Sequence, residues 1–229
     1  MEPDTDLRSD YPSEGFVFIV TYGRSGSTVM QSVLQAMDGY FIRGENNNAL
    51  AAIFDFYEAL NAAQTKNTKP NPPPHGPWYG IDEVDVDAVT RKAVDLFVSD
   101  VLKVPVGTRK AGFKEIRFHD VGVERFSHFL DFIVKFFPNT KFVFNKRDAD
   151  GVSKSGWWRD VDYYDVLDMV ETCDQLFDDY TRANPDICFT TKYEDFKGNP
   201  DAFRGLCAFM GEPFDEVKIK AIVDHKLKH

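Results

Sequence analysis

Residues 23–28 read Gly-Arg-Ser-Gly-Ser-Thr, set between an apolar, β-branched run at 15–22 and a stretch whose apolar residues return at helical spacing. A buried strand that delivers a turn of small residues into a helix aims several backbone N–H groups and the positive end of the helix dipole at one spot, which suits a phosphate. Gly23 and Gly26 permit tight backbone geometry, Ser27 and Thr28 offer hydroxyl donors, and Arg24 offers a fork that matches phosphate oxygens. The ATP-binding form of such a loop, G-x-x-x-x-G-K-[ST], needs a lysine for the outer phosphates and a hydroxyl for magnesium. Here Ser27 stands where that lysine would, which weakens an ATP-dependent kinase reading. An ordinary strand-to-helix turn is the plainer reading of the same residues.

Such a loop works only on a scaffold that holds both of its ends. Short β-branched or aromatic runs at 15–22, 40–43, 111–116, 140–146 and 187–193 predict strands. Apolar residues recurring every three or four positions predict helices at 27–37, 46–62, 86–103, 121–136, 163–183 and 200–210. Around the last of these, Asn199 is expected to cap, Pro200 to fit the first turn, and Gly211 with Pro213 to stop the helix. Strands alternating with helices imply right-handed crossovers and an α/β three-layer sandwich, with a central parallel sheet and the phosphate-binding loop after its first strand. The Pro-, Asn- and Lys-rich insertion at 64–80 cannot be a core element. It is either a solvated linker or a lid carrying Trp78 and Tyr79 to an acceptor.

The 229 residues, 43% hydrophobic, are enough for one sizeable core, so a polar segment at 1–14 and one domain at 15–229 are expected. A formal net charge of -10 argues against a broad nucleic-acid binder. No apolar run approaches the roughly 20 residues that span a bilayer, and the acidic, polar start has no leader-like apolar core. A soluble, cytoplasmic protein is expected. Cys173, Cys188 and Cys207 are scattered and odd in number, which fits a reducing compartment, and they lack metal-ligand spacing.

Three further stretches join the loop: GFKEIRF on the third predicted strand, FPNTKFVFNKRDADGVSKS on the fourth, and TTKYEDFKGNPDAFRGLCAFMGEP from the fifth onward. With YGRSGSTVMQ they resemble the sulfotransferases that use 3′-phosphoadenosine 5′-phosphosulfate (PAPS), over residues 16 to about 214. The loop begins Arg-Ser-Gly and RGEN follows the second strand, which is most similar to the branch of tyrosylprotein and many bacterial carbohydrate sulfotransferases. The resemblance implies the nucleoside-kinase-like sulfotransferase fold, with Arg24, Ser25, Gly26, Ser27 and Thr28 on the 5′-phosphosulfate. It implies that Arg147 and Ser155, early in the next helix, grip the 3′-phosphate and so select against nucleotides lacking it. Tyr193 matches a position near the cofactor, with core packing as its alternative role.

For chemistry, the resemblance makes Lys114 the lysine on the bridging oxygen, assisted by Arg24, with no metal required. The cytosolic aryl and alcohol sulfotransferases carry a His base two residues after that lysine, where this chain has Ile116. Glu45 matches the catalytic glutamate of the tyrosylprotein branch, and its position after a strand's carboxyl end suits a reacting hydroxyl. Its other reading is an acid that stabilises the N-terminus of a helix. His119 is the reserve base. Trp78, Tyr79, Trp157 and Trp158, with the acids between the aromatics, would offer stacking faces for a saccharide or glycolipid, or else belong to core and interfaces. Family members also close the nucleotide with a basic or Gly-rich loop near the C-terminus. Here the end carries only Lys218, Lys220, Lys226 and Lys228, which read as a solvated tail or as a partial substitute. The competing functions are an ATP-dependent small-molecule kinase and a non-catalytic domain that binds a phosphorylated ligand.

Overall fold

The computed structural model describes residues 11–67 and 70–225. Most of the expected polar segment at 1–14, residues 68–69 of the insertion, and Lys226 and Lys228 lie outside the described residues.

Five strands, β1 (Phe16–Thr21), β2 (Tyr40–Arg43), β3 (Lys110–Glu115), β4 (Lys141–Lys146) and β5 (Cys188–Lys192), form one sheet in the order β2-β3-β1-β4-β5. Every pairing is parallel. β1 is central and all six of its residues are buried, so it carries no polar alternation. Phe16, Phe18 and Val20 face one layer and Val17 and Ile19 the other. The first layer holds α2 (Ala49–Lys66), α3 (Val86–Leu96), α4 (Val123–Phe136) and α6 (Tyr163–Ala183), through Phe54, Val94, Phe129 and Phe177 among others. The second holds α1 (Ser27–Gln35), α8 (Arg204–Met210) and α9 (Glu216–Asp224), through Met30, Leu34, Leu206 and Ile219. Shorter helices, α5 (Ala149–Ser153) and α7 (Tyr193–Phe196), follow β4 and β5. The result is a three-layer α/β fold with a parallel sheet.

Close approach of β3 to β1 depends on Gly112, where an added Cβ would fall 1.7 Å from the Val17 carbonyl oxygen. Neither backbone can move without breaking the ladder. Gly112→Ala is therefore expected to lower the unfolding free energy by about 3 kcal/mol in urea titration. A loss under about 1 kcal/mol would show that the strands can separate at little cost.

Three helix expectations need correction. The helix expected from residue 46 begins at Ala49, because Asn47 and Asn48 adopt left-handed backbone (φ 58° and 55°), and it continues to Lys66. The helix expected through 103 stops at Leu96 and widens into a π-type turn at Phe97–Leu102, closed by left-handed Lys103. The helix expected at 200–210 opens as a tight 3-10 turn at Pro200–Phe203. Its proline sits in the first turn and Gly211 ends α8 at φ 77°, but the Asn199 side chain makes no cap; its amide donates to the Asp195 carbonyl at 3.2 Å. All three cysteines are buried and unpaired, and burial pushes the Cys173 and Cys188 thiols up to about 12. Among the described residues no helix is long and apolar enough to cross a membrane.

Candidate active site

The chain leaves β1 through α1 for the edge strand β2 on one side, and α4 later carries it from β3 past β1 to β4 on the other, so the connections part at the centre of the sheet. Open parallel sheets bind ligands at that point, outside the strands' carboxyl ends. A cavity of about 710 Å³ lies there, and each of the five strands delivers a side chain to it at or just beyond its carboxyl end: Arg24, Glu45, Lys114, Arg147 and Tyr193.

The loop after β1 is fixed from beneath. The Thr21 hydroxyl donates to the Asn145 carbonyl at 2.6 Å and shares a hydrogen bond with the Ser25 hydroxyl at 2.6 Å, while Asn145 Nδ2 donates to the Ser25 carbonyl at 2.8 Å. Ser25 is fully buried in this seam and does not line the cavity. Its neighbours Gly26, Ser27 and Thr28 do, and α1 starts there with no side-chain cap, leaving the helix end available to an anion. Gly26 has φ 80°, and a Cβ there would sit 2.3 Å from the Tyr193 ring, so only glycine lets α7 close on the loop.

Two guanidinium groups share this corner. Arg24, left-handed at φ 68°, donates from Nε to the Ser155 hydroxyl at 2.9 Å and lies 5.9 Å from the Trp157 ring centre. Arg147 donates from Nη1 to the Arg24 carbonyl at 2.7 Å and stacks 4.4 Å from the Tyr193 ring centre. Its Nε is buried without a partner. The backbone of Arg147 is held by the buried Tyr22 hydroxyl, which accepts from its N–H at 2.8 Å and lies 2.8 Å from its carbonyl and 3.1 Å from Asp174 Oδ1. Burial raises the affinity of Asp174 for its proton. Ser155 does line the cavity, yet not from within a helix: it follows the five-residue α5 in extended backbone and precedes a 3-10 turn at Gly156–Asp160.

On the opposite wall Lys114, 9% exposed, forms an ion pair with Glu45, 40% exposed. Glu115 points elsewhere, as alternation along a strand requires.

Besides Ser25, four sequence-derived candidates stand outside the cavity. Trp158 supports it from behind, donating from Nε1 to the Gly23 carbonyl at 3.1 Å, while Trp157 lines it and stays half exposed. His119 sits in the turn Phe118–Val121, 3.3 Å from Asp120, with Nδ1 buried and unpartnered, and burial lowers its proton affinity. Trp78 and Tyr79 are exposed on successive tight turns and do not reach the cavity. The insertion is tied instead to the chain after it, by Gln64 to the Val84 carbonyl at 2.7 Å and by the Asn71 N–H to Asp82 at 2.8 Å.

The cavity also contains residues that the sequence had not marked. Lys197 and Gly198 follow α7, and Lys197 Nζ lies 5.8 Å from the Tyr193 ring centre. Val223 and His225 come from the end of α9. Lys218 and Lys220 of that helix pair with Asp38 and Asp224 instead. The Lys-Gly pair was legible in FKGNP, but nothing local announced that α9 would return to the cavity. Among the described residues no three His, Cys, Asp or Glu side chains cluster as a metal site.

A model of the sulfotransferase family matches residues 17–216. Among solved structures, the fold is similar to the sulfotransferase domain of the Synechococcus PCC 7002 olefin synthase, with a TM-score of 0.59 and 18% identity, covering 95% of this chain and 80% of that one. No curated protein matches the sequence.

Proposed function

Since the chain belongs to the sulfotransferase family, we propose that it moves the sulfuryl group of PAPS to an acceptor hydroxyl. One observation carries the proposal: a single cavity holds a two-arginine anion corner on one wall and a lysine-carboxylate pair on the other. The residues fit PAPS. The Arg24 and Arg147 side chains line the same cavity as an uncapped helix end, so two anions can each meet a guanidinium or free backbone N–H groups. Arg24, Gly26, Ser27 and Thr28 would hold the 5′-phosphosulfate, with Ser25 bracing the loop. Arg147 and Ser155 would hold the 3′-phosphate, and Tyr193 would pack beside the nucleotide.

When bound, PAPS supplies a sulfuryl group joined to phosphate through a bridging oxygen. Glu45 would take the proton of the acceptor hydroxyl as that oxygen bonds to sulfur and the phosphate leaves. Lys114 would support the leaving phosphate as a fixed cation, and Arg24 would share the charge left on it. Products are the sulfated acceptor and adenosine 3′,5′-bisphosphate (PAP). This choice of base follows the tyrosylprotein and bacterial carbohydrate branch that the sequence resembles. The exposed face of Trp157 at the mouth supports a ring-bearing acceptor, a saccharide or glycolipid. The buried, unpaired thiols suit a cytoplasmic setting.

Calorimetric titration with PAP beside ATP and magnesium tests the reading. PAP is expected to bind and ATP to bind at least tenfold more weakly, with PAP affinity falling about 10- to 100-fold in Arg147→Ala. Preference for ATP would return the chain to the kinase reading. Binding of PAP with no turnover of PAPS would support a non-catalytic phospholigand domain.

A further inference from the structure

One acid beside the cavity has no part in the chemistry above. Glu115, the last residue of β3, is fully buried, and it does not line the cavity. Its carboxylate accepts from three backbone N–H groups: Ile116 at 2.8 Å on Oε1, and Asn46 at 3.1 Å and Asn48 at 2.8 Å on Oε2. Two of those donors belong to the turn that carries Glu45. The register between β2 and β3 pairs Arg43 with Phe113, so the chain leaving β2 emerges beside the last two residues of β3.

That turn needs a support. Asn47 and Asn48 are consecutive non-glycine residues in left-handed backbone, a conformation that persists only where surrounding contacts over-determine it. Further contacts hold its far end: Asn48 Nδ2 donates to the Arg117 carbonyl at 2.8 Å, and Asn46 Oδ1 accepts from the Ala49 N–H at 2.9 Å. The central tie is Glu115. A carboxylate can accept at both oxygens at once, whereas an amide turns one oxygen into a donor and must face an N–H with an N–H. Lys114 therefore holds the side chain of Glu45, and Glu115 holds the backbone immediately after it.

We infer that Glu115 is a positioning residue, which sets the 44–48 turn so that the Glu45 carboxylate stands at the reacting hydroxyl. The inference rests on the PAPS reading, and Glu115 acts only through Glu45.

The experiment compares Glu115→Gln with the unaltered protein in turnover of radiolabelled PAPS with water as acceptor, in PAP calorimetry, and in amide hydrogen exchange. Turnover is expected to fall about 10- to 100-fold with KM for PAPS and PAP affinity within about twofold, and exchange to quicken at residues 46 and 48 but not in β1. In a Glu45→Gln background the same change should cost less than about threefold, because the residue through which it acts is already disabled. Glu115→Asp, which keeps the charge on a shorter arm, should fold and recover part of the rate. Equal losses in both backgrounds, a fall in PAP affinity that matches the fall in rate, or unchanged exchange at 46 and 48 would overturn the inference alone. Failure of the unaltered protein to bind PAP would bring down the PAPS reading with it.

Discussion

Lys114→Ala is expected to reduce sulfuryl transfer by about three orders of magnitude while PAP affinity changes by no more than a few fold. The lysine is almost wholly removed from solvent at the end of β3, so its charge acts across a cavity wall where water screens it poorly. Charge on the leaving oxygen grows as the sulfur bond breaks, so a cation fixed there stabilises the transition state more than the bound ground state. Its loss should therefore fall on kcat and leave ligand affinity nearly intact. Glu45 is partly exposed, so water can solvate it once its partner is gone, and the variant should remain folded. Lys114→Arg should recover little, because a planar fork does not replace a point charge on one oxygen. Radiolabelled PAPS turnover beside PAP calorimetry reads both quantities. A fall below tenfold would remove Lys114 from the reaction.

Glu45→Gln is the second large effect, a loss of about 10²- to 10³-fold in kcat with KM for PAPS unchanged. Glutamine is nearly the same shape and can still accept from Lys114, but it cannot carry away a proton. Steric and basic roles then separate cleanly. Glu45→Ala opens a space beside Lys114, and added formate should restore part of the rate if the missing function is a base. Rescue absent at every formate concentration, together with a Gln variant near full activity, would leave the acid as a helix-end charge only.

How far these residues could be read in advance depended on how local their signals were. Gly23 to Thr28, Lys114 and Arg147 each sit where a strand of clear composition ends, so position along the chain already determined position in the sheet. The five strands were legible for the same reason: β1 is apolar on both faces because helices cover both. The start of α2 was not, because a run of three asparagines is compatible with helix and with left-handed turn, and a partner 67 residues away decides between them. Trp78 and Tyr79 looked like acceptor contacts by composition alone, yet Asp82 and Val84 tie their segment to its own downstream chain. Val223 and His225 reach the cavity through tertiary packing, Ile219 seating α9 in the α1 layer, and no period or motif encodes that return.

The hydrogen bonds between the two arginine positions have a further consequence. Arg24 leans on Ser155, and Arg147 leans on the Arg24 carbonyl, so neither anion position can shift without disturbing the other. On the proposed reading, a ligand with one anion would pair with one guanidinium and leave the second without a counterion. The corner would then act as a logical AND, responding to two negative groups held at one fixed separation. Abundant metabolites that present a single phosphate, or several phosphates strung together at the wrong spacing, would be ignored at concentrations far above that of the true ligand.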